Sequence, residues 1–592
     1  MHDTLIRNAT VVDGTLAEPY VADVAIEGGR IAAVGRIGGG ARRVIDADGL
    51  HLVPGFVDLH THYDGQASWD EVFSPSIYHG ITTLVMGNCG VGFAPVRPGG
   101  EQRLIELMEG VEEIPGAALA EGIRWGWESF SEYCRALDAM PHSLDFLTLV
   151  PHDSLRLYVM GERAERGENA TDDDLAQMKM LLHQALQDGA IGFGMGSSEV
   201  HRTSRGRMTP SFRVAGRELN ALASALQGLP YRVLQAVNDF SLTATPEGES
   251  RALFEQEYAK LEDMVRAAGR PLSMTWMQRL QIPQNWQWLG EAALASQRKG
   301  LTIRLQCSPR GIGVLNGLDT TMNLLLAFPG YQQIAQLPPA ERAARLREPT
   351  LRARILAEQP VQLSQPGNTV PPLVDQLIAG FERVAFQFFP YREVSGNVDY
   401  EPDPSTSFGA QAKARGISAK ELVYDYLASG DGTNLIYFPI YNYLLGSLDA
   451  VREMLNHPLA LVALGDGGAH VGTICDASYS TTMLAHWALQ RTRGPRLPLP
   501  QVVHMLSQRN AAHLGLHDRG TIAVGKKADL NLVNLDRLAL KLPQVVRDLP
   551  AGGRRMIQKA EGYIATFVSG ETVIEHGEIT AARPGRWVRA PA

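Results

Sequence analysis

The sequence predicts an α/β chain: a (β/α)8 barrel with a small β-sandwich formed by both termini and a long insertion after the seventh barrel strand. Three observations carry this reading. A helix–glycine–strand unit repeats four times in succession, eight short apolar runs end in polar residues, and both ends of the chain read as short strands separated by glycine turns.

Residues 21–26 and 31–34 flank Glu27-Gly28-Gly29-Arg30, where glycine supplies the positive φ of a tight hairpin. The C-terminal runs 530–533, 564–568 and 572–575 repeat the style, with Ser569-Gly570 and His576-Gly577 as turns. Neither end has apolar area for a core of its own, so residues 1–53 and 520–592 are expected to pack as one β-sandwich. Residues 54–519 then form the barrel. In 171–188, Leu175, Met178, Leu182 and Leu186 recur at helical spacing, Thr171 is placed to cap, and Gly189 ends the helix before a strand at 190–195. The unit recurs with strands at 231–237, 271–277 and 301–307, and consecutive units of this kind require a parallel sheet. Runs at 52–59, 81–87, 144–150 and 459–465 bring the strand count to eight, which favours the barrel over an open doubly wound sheet. The stretch 309–458 is too long for one βα unit and is expected to be a mostly helical lid or pocket wall.

Composition excludes several classes. With 592 residues, 45% hydrophobic and 20% charged, the chain can bury a large core and is neither disordered nor collagen-like. The 55 Lys+Arg against 64 Asp+Glu show no basic excess, so no nucleic-acid partner is expected. Cys89, Cys134, Cys307 and Cys475 lie far apart and form neither a metal clip nor a disulfide framework, which points to a reducing compartment. No apolar run has the length of a membrane span and the N-terminus is unlike a signal peptide, so a cytoplasmic protein without a membrane partner is expected. A large apolar lid adds the expectation of a homo-oligomer.

His60-Thr61-His62 follows the first barrel run directly. Side chains at i and i+2 of an extended strand point the same way, so both imidazoles can converge on one metal. With 16 histidines such a pair arises by chance about 0.4 times. Its place at a buried strand end, followed by Tyr63 and Asp64, is what makes it informative. The eighth strand ends in Asp466-Gly467-Gly468-Ala469-His470, where a carboxylate among glycines can touch a metal and take a proton from water, although Asp-Gly-Gly is also ordinary turn chemistry. Cys89, after the second strand, is a zinc-type ligand or a small core residue. His152 and His201 lie past the third and fourth strands, and Arg202, Arg279 and Arg310 past the fourth, sixth and seventh; substrate binding and plain hydrogen-bonded or solvated roles are both open to them.

The segments Gly55-Phe56-Val57-Asp58-Leu59-His60-Thr61-His62-Tyr63-Asp64 and Gly80-Ile81-Thr82-Thr83-Leu84-Val85-Met86-Gly87-Asn88-Cys89-Gly90 resemble the opening of the amidohydrolase superfamily, and within it the N-acyl-D-amino-acid deacylases. Gly520-Thr521-Ile522-Ala523-Val524-Gly525-Lys526-Lys527-Ala528-Asp529-Leu530 is similar to that superfamily's return into its β domain. The resemblance implies a metal-dependent hydrolase of a linear amide, with His60, His62, Cys89 and Asp466 as metal ligands and Asp466 as general acid/base. The implied cofactor is a divalent metal, zinc first among candidates, one or two per chain. The chain departs from the family pattern in one respect: it has no histidine between His201 and His457, so the ligands expected at the ends of strands five and six are absent. Gln235 to Asp239 and Met274 to Gln278 stand there instead. A substrate-binding set of Tyr63, Asp64, His152, His201, Arg202, Arg279, Arg310 and His470 completes the expectation, with a small amide as the substrate. A cyclic-amide hydrolase and a non-catalytic barrel that has lost ligands are the competing readings.

Overall fold

The computed structural model describes residues 1–240, 247–280, 282–365, 370, 372–394 and 396–590. Within the expected insertion, 366–369, 371 and 395 lie outside the described residues, as do 591–592 of the terminal segment.

Eight parallel strands follow one another in sequence order around the core: Phe56–Asp58, Ile81–Met86, Asp145–Pro151, Gly192–Ser197, Val233–Asn238, Leu272–Trp276, Ile303–Cys307 and Ala460–Val462. They are numbered one to eight here. Strand eight meets strand one through main-chain contacts at their C-terminal ends: the Asp466 N–H donates to the His60 carbonyl at 3.1 Å, the His62 N–H to the Gly467 carbonyl at 2.8 Å, and Thr61 bridges Gly467 in parallel. Lower on the same seam, the Asn510 side-chain amide donates to the Val57 and Val462 carbonyls, both at 2.8 Å. One side chain thus satisfies two buried main-chain acceptors that the short end strands leave without partners.

The helices follow the sequence logic. Thr171 caps the helix Asp172–Gln187 with a reciprocal capping box to Asp174, and Gly189 follows with φ 122°. Both termini build one nine-stranded sheet. Its centre is His51–Pro54, antiparallel to Leu530–Val533 with Leu52 opposite Leu532 and parallel to His2–Val11. Gly28 and Gly29 (φ 57° and 76°) turn the hairpin between Tyr20–Glu27 and Arg30–Gly35.

Two features differ from the sequence reading. The apolar run 52–59 is not one strand: His51–Pro54 belongs to the terminal sheet and Phe56–Asp58 to the barrel. Gly55 stands at the joint because a Cβ there would lie 2.2 Å from Thr82 Oγ1. The segment between strands seven and eight is also less purely helical than expected. Besides helices such as Pro349–Ala357 and Ala419–Ala428 it holds an antiparallel sheet in which Leu435–Tyr441 pairs with both Ile312–Gly317 and Phe389–Tyr391. This sheet docks on the barrel mouth, where Asn442 N–H reaches the Gln278 carbonyl beyond strand six at 3.1 Å. Among the described residues no helix is long and apolar enough to cross a membrane.

Glu401 ties this segment to the barrel body. Its buried carboxylate accepts from Arg491 Nη2 at 2.9 Å, Arg491 Nε at 3.0 Å and the Leu448 N–H at 2.9 Å, and lies 3.0 Å from His486 Nε2. Burial alone would raise its pKa, but His486 and Arg491 outweigh it and hold the group at about 2. A depressed carboxylate contributes stability that is complete above its ordinary value near 4.5 and disappears as pH falls through about 2. Urea denaturation should therefore show Glu401→Gln less stable than the parent at pH 7, with the gap narrowing from pH 4.5 toward pH 2. A gap that does not change with pH would show that this ion pair is not its source.

Candidate metal centre

The end of strand one is an extended segment with alternating directions. Thr61 turns outward, its N–H and Oγ1 both on the Val85 carbonyl at 3.1 and 2.8 Å, while His60 and His62 face the barrel axis. Asp58 accepts the His60 N–H at 3.1 Å. Cys89 reaches the same point from strand two through a tight turn in which Gly87, Cys89 and Gly90 all have positive φ (82°, 57° and 79°). A Cβ at Gly87 would lie 2.2 Å from the Leu149 carbonyl, so no other residue fits there. The Cys89 N–H is held by Gln235 Oε1 at 3.1 Å, from strand five.

His60, His62 and Cys89 offer ligand atoms that all lie within 4.8 Å of one another, and all three residues are buried. Cys89 Sγ is 3.3 Å from His60 Nε2 and 3.9 Å from His62 Nε2; Asp466 Oδ1 is 3.6 and 3.8 Å from the same two nitrogens. Zinc-type bonds of about 2.0–2.3 Å place tetrahedral ligands about 3.3–3.7 Å apart. Two imidazole nitrogens, a sulfur and a carboxylate oxygen at these separations fit a divalent metal of the zinc type. Burial favours the neutral form of His60, His62 and Cys89, lowering the histidine pKa values and raising that of Cys89, so both imidazoles keep a free lone pair. Asp466 is itself held at φ 45°, a conformation fixed by its N–H on the His60 carbonyl.

The far ring nitrogens have their own neighbours, which sequence reasoning missed. His60 Nδ1 lies 2.7 Å from Gln306 Oε1 on strand seven. His62 Nδ1 lies 3.3 Å from Glu112 Oε1, at the end of the helix Glu101–Glu112, and burial pushes Glu112 up to about 8. His470 sits beside Glu112 and Glu113 at 3.7 and 3.4 Å; burial opposes its charge, but the Glu113 contact and both carboxylates raise it to about 10. Alternation on strand seven points Gln306 inward and was the one available signal. Glu112 carried none.

The remaining expected site residues scatter. His201 lies near the centre with its pKa lowered to about 4 by burial, and Asp64 is buried with its carboxyl raised to about 7 by burial. Tyr63 is fully buried with its hydroxyl 2.8 Å from Ser76 Oγ, and His152 is fully buried 2.8 Å from Glu218. Arg202 donates to the Gly206 carbonyl at 3.1 Å. Arg310 is fully buried, bonded to Ser478, Thr482, Asp476 and the Cys475 carbonyl and stacked on Tyr400. Arg279 forms a buried ion pair with Asp239 beyond strand five, whose other oxygen takes Ser198 Oγ at 2.5 Å and the Glu199 N–H at 2.8 Å. Both oxygens of Asp239 are thereby committed, and Arg279 is neutralised at the place where strands five and six open on the mouth.

A profile of the amidohydrolase family matches residues 43–370 and 411–574. An uncharacterized protein of Mycobacterium tuberculosis (strain ATCC 25618 / H37Rv) is 26% identical over 630 residues, covering 100% of this chain and 96% of that protein. N-acyl-D-aspartate deacylase of Alcaligenes xylosoxydans xylosoxydans is 37% identical over 196 residues, 33% of this chain and 36% of that enzyme. The crystal structure of D-aminoacylase, at 22% identity, superposes with a TM-score of 0.63 over the whole of both chains, a likeness of fold.

With both carboxylate oxygens of Asp239 committed elsewhere, zinc titration of the purified protein followed by elemental analysis should give one ion per chain. His60→Ala and His62→Ala should each weaken binding by more than the roughly 10–100-fold that loss of a ligand-orienting partner costs. Protein that takes up no zinc, or unchanged affinity in both variants, would rule this centre out.

Proposed function

Because the chain belongs to the amidohydrolase family and so is a hydrolase acting on carbon–nitrogen bonds, we propose that it cleaves the linear amide of a small N-acylated amino acid, with one divalent metal at the His60–His62–Cys89–Asp466 centre. The convergence of His60, His62 and Cys89 on one buried point, with Asp466 Oδ1 3.6 and 3.8 Å from the two imidazoles, supports the reading. The substrate class comes from the deacylase similarity, which spans a third of the chain.

A divalent cation held there would supply Lewis-acid polarisation of the scissile carbonyl and bring the acidity of water toward neutrality. The chain's own groups do the rest. Asp466 stands 3.6 and 3.8 Å from the two imidazoles with its side chain 15% exposed, the most open of the four donors. Its carboxylate takes the proton of the attacking water and passes it to the leaving nitrogen, which would otherwise depart as an unstable amide anion. His201, kept neutral by burial, is the group we assign to hydrogen-bond the substrate, and Arg202 on the same loop adds positive charge for its carboxylate. Arg279, Arg310 and His152 are turned to buried partners, which favours a structural part for them in this reading.

On a panel of N-acetyl and N-formyl D- and L-amino acids, at least one substrate should be turned over by zinc-loaded protein and none after chelation. Asp466→Asn should keep the fold by circular dichroism and lower kcat by about 10²–10⁴-fold. Near-parental kcat in Asp466→Asn would remove it from proton transfer, and a silent panel would reject the substrate class.

A further inference from the structure

His60 is gripped on the side of its ring that faces away from the donor cluster. Its Nδ1 is 2.7 Å from Gln306 Oε1, and Gln306 Nε2 is 2.9 Å from Ser273 Oγ, so a hydrogen-bonded row runs from strand one through strand seven to strand six. All three side chains are buried. An imidazole that offers Nε2 as a lone pair must carry its proton on Nδ1, and that proton needs an acceptor in a buried place. The amide oxygen of Gln306 is the one acceptor recorded for it among the described residues.

The two histidines are backed by different chemistry. His62 faces a carboxyl group, Glu112, at 3.3 Å, whereas His60 faces a neutral amide at a shorter distance. A neutral acceptor sets the tautomer without adding a negative charge to a cluster that already holds Asp466 and Cys89. Gln306 reaches this position because it follows the inward alternation of strand seven, paired with Thr275 on one side and Leu461 on the other.

We propose that Gln306 is a positioning residue of the metal centre: its side-chain oxygen holds His60 in the Nδ1–H tautomer and so turns Nε2 toward Cys89 and Asp466. The proposal rests on the metal-centre reading above, but its first readout needs no metal. In metal-free protein labelled with ¹⁵N-histidine, long-range ¹H–¹⁵N correlation, assigned through His60→Ala, should show His60 protonated at Nδ1. Gln306→Met, close in shape but without an acceptor, should lose that preference and weaken zinc binding by about 10–100-fold. Gln306→Glu restores an acceptor and should return both the Nδ1–H tautomer and most of the affinity, a rescue that a purely packing role would not produce. If Gln306→Met does not fold, Gln306→Asn, whose shorter side chain leaves the acceptor out of reach, gives the same two readouts. An unchanged His60 tautomer together with unchanged zinc affinity in the acceptor-less variant overturns the proposal. A tautomer switch in a parent protein that binds no zinc would uphold the positioning role and reject the metal reading instead.

Discussion

The seam between strands one and eight is the constraint on which the site depends. Strand one is three residues long and strand eight three, so few ladder hydrogen bonds can join them. The pairing is completed beyond the strands, by Asp466 and His62 N–H groups on the carbonyls of His60 and Gly467, and below them by Asn510. Those same main-chain bonds place Asp466 against the two imidazoles. Barrel closure and assembly of the donor cluster are therefore one event, and glycines at 465, 467 and 468 allow it because a Cβ at any of them would meet Asp58, Tyr63, Ser76 or the His62 main chain within 3 Å.

Charge around the mouth is arranged so that little is left free. Asp239 is matched by Arg279 and Glu113 by His470, while burial drives Asp58 and Glu112 up to about 8, which keeps both largely protonated near neutrality. Asp466 has two neutral imidazoles for neighbours, at 3.6 and 3.8 Å, with the His470 cation acting on it electrostatically. A positive ion would complete that set, and it would be bound in a place of low dielectric where a single charge weighs heavily.

Much of this was legible in the sequence for physical reasons. Buried parallel strands write themselves as apolar runs, glycine marks the helix ends, and His60 and His62 stand out because they follow such a run at a spacing of two. What stayed hidden depends on contacts between distant residues. The division at Gly55 leaves no break in the apolar pattern, since both halves are buried in different sheets. The antiparallel sheet of the long segment between strands seven and eight is assembled from strands more than forty residues apart, and Asp239 and Arg279 look like surface charges until strands five and six bring them together. Gln306 and Glu112 act on histidines hundreds or tens of residues away, and no local signature encodes such a partnership.

The joint at Gly55 also bears on how the chain can fold as it is synthesised. Strand one of the barrel continues directly from the central strand of the terminal sheet, and that strand is paired with Leu530–Val533. The strand that leads into the histidine pair has one partner close in sequence, Ile81–Met86, but its other neighbour, Ala460–Val462, and the partner of the preceding strand, Leu530–Val533, lie hundreds of residues further along. The segment at Gly55 stays unpartnered along one edge until those distant strands are available, so its pairing is among the most non-local in the fold. Closure of the barrel at this seam thus depends on residues far apart in the chain more than on the local folding of any single unit.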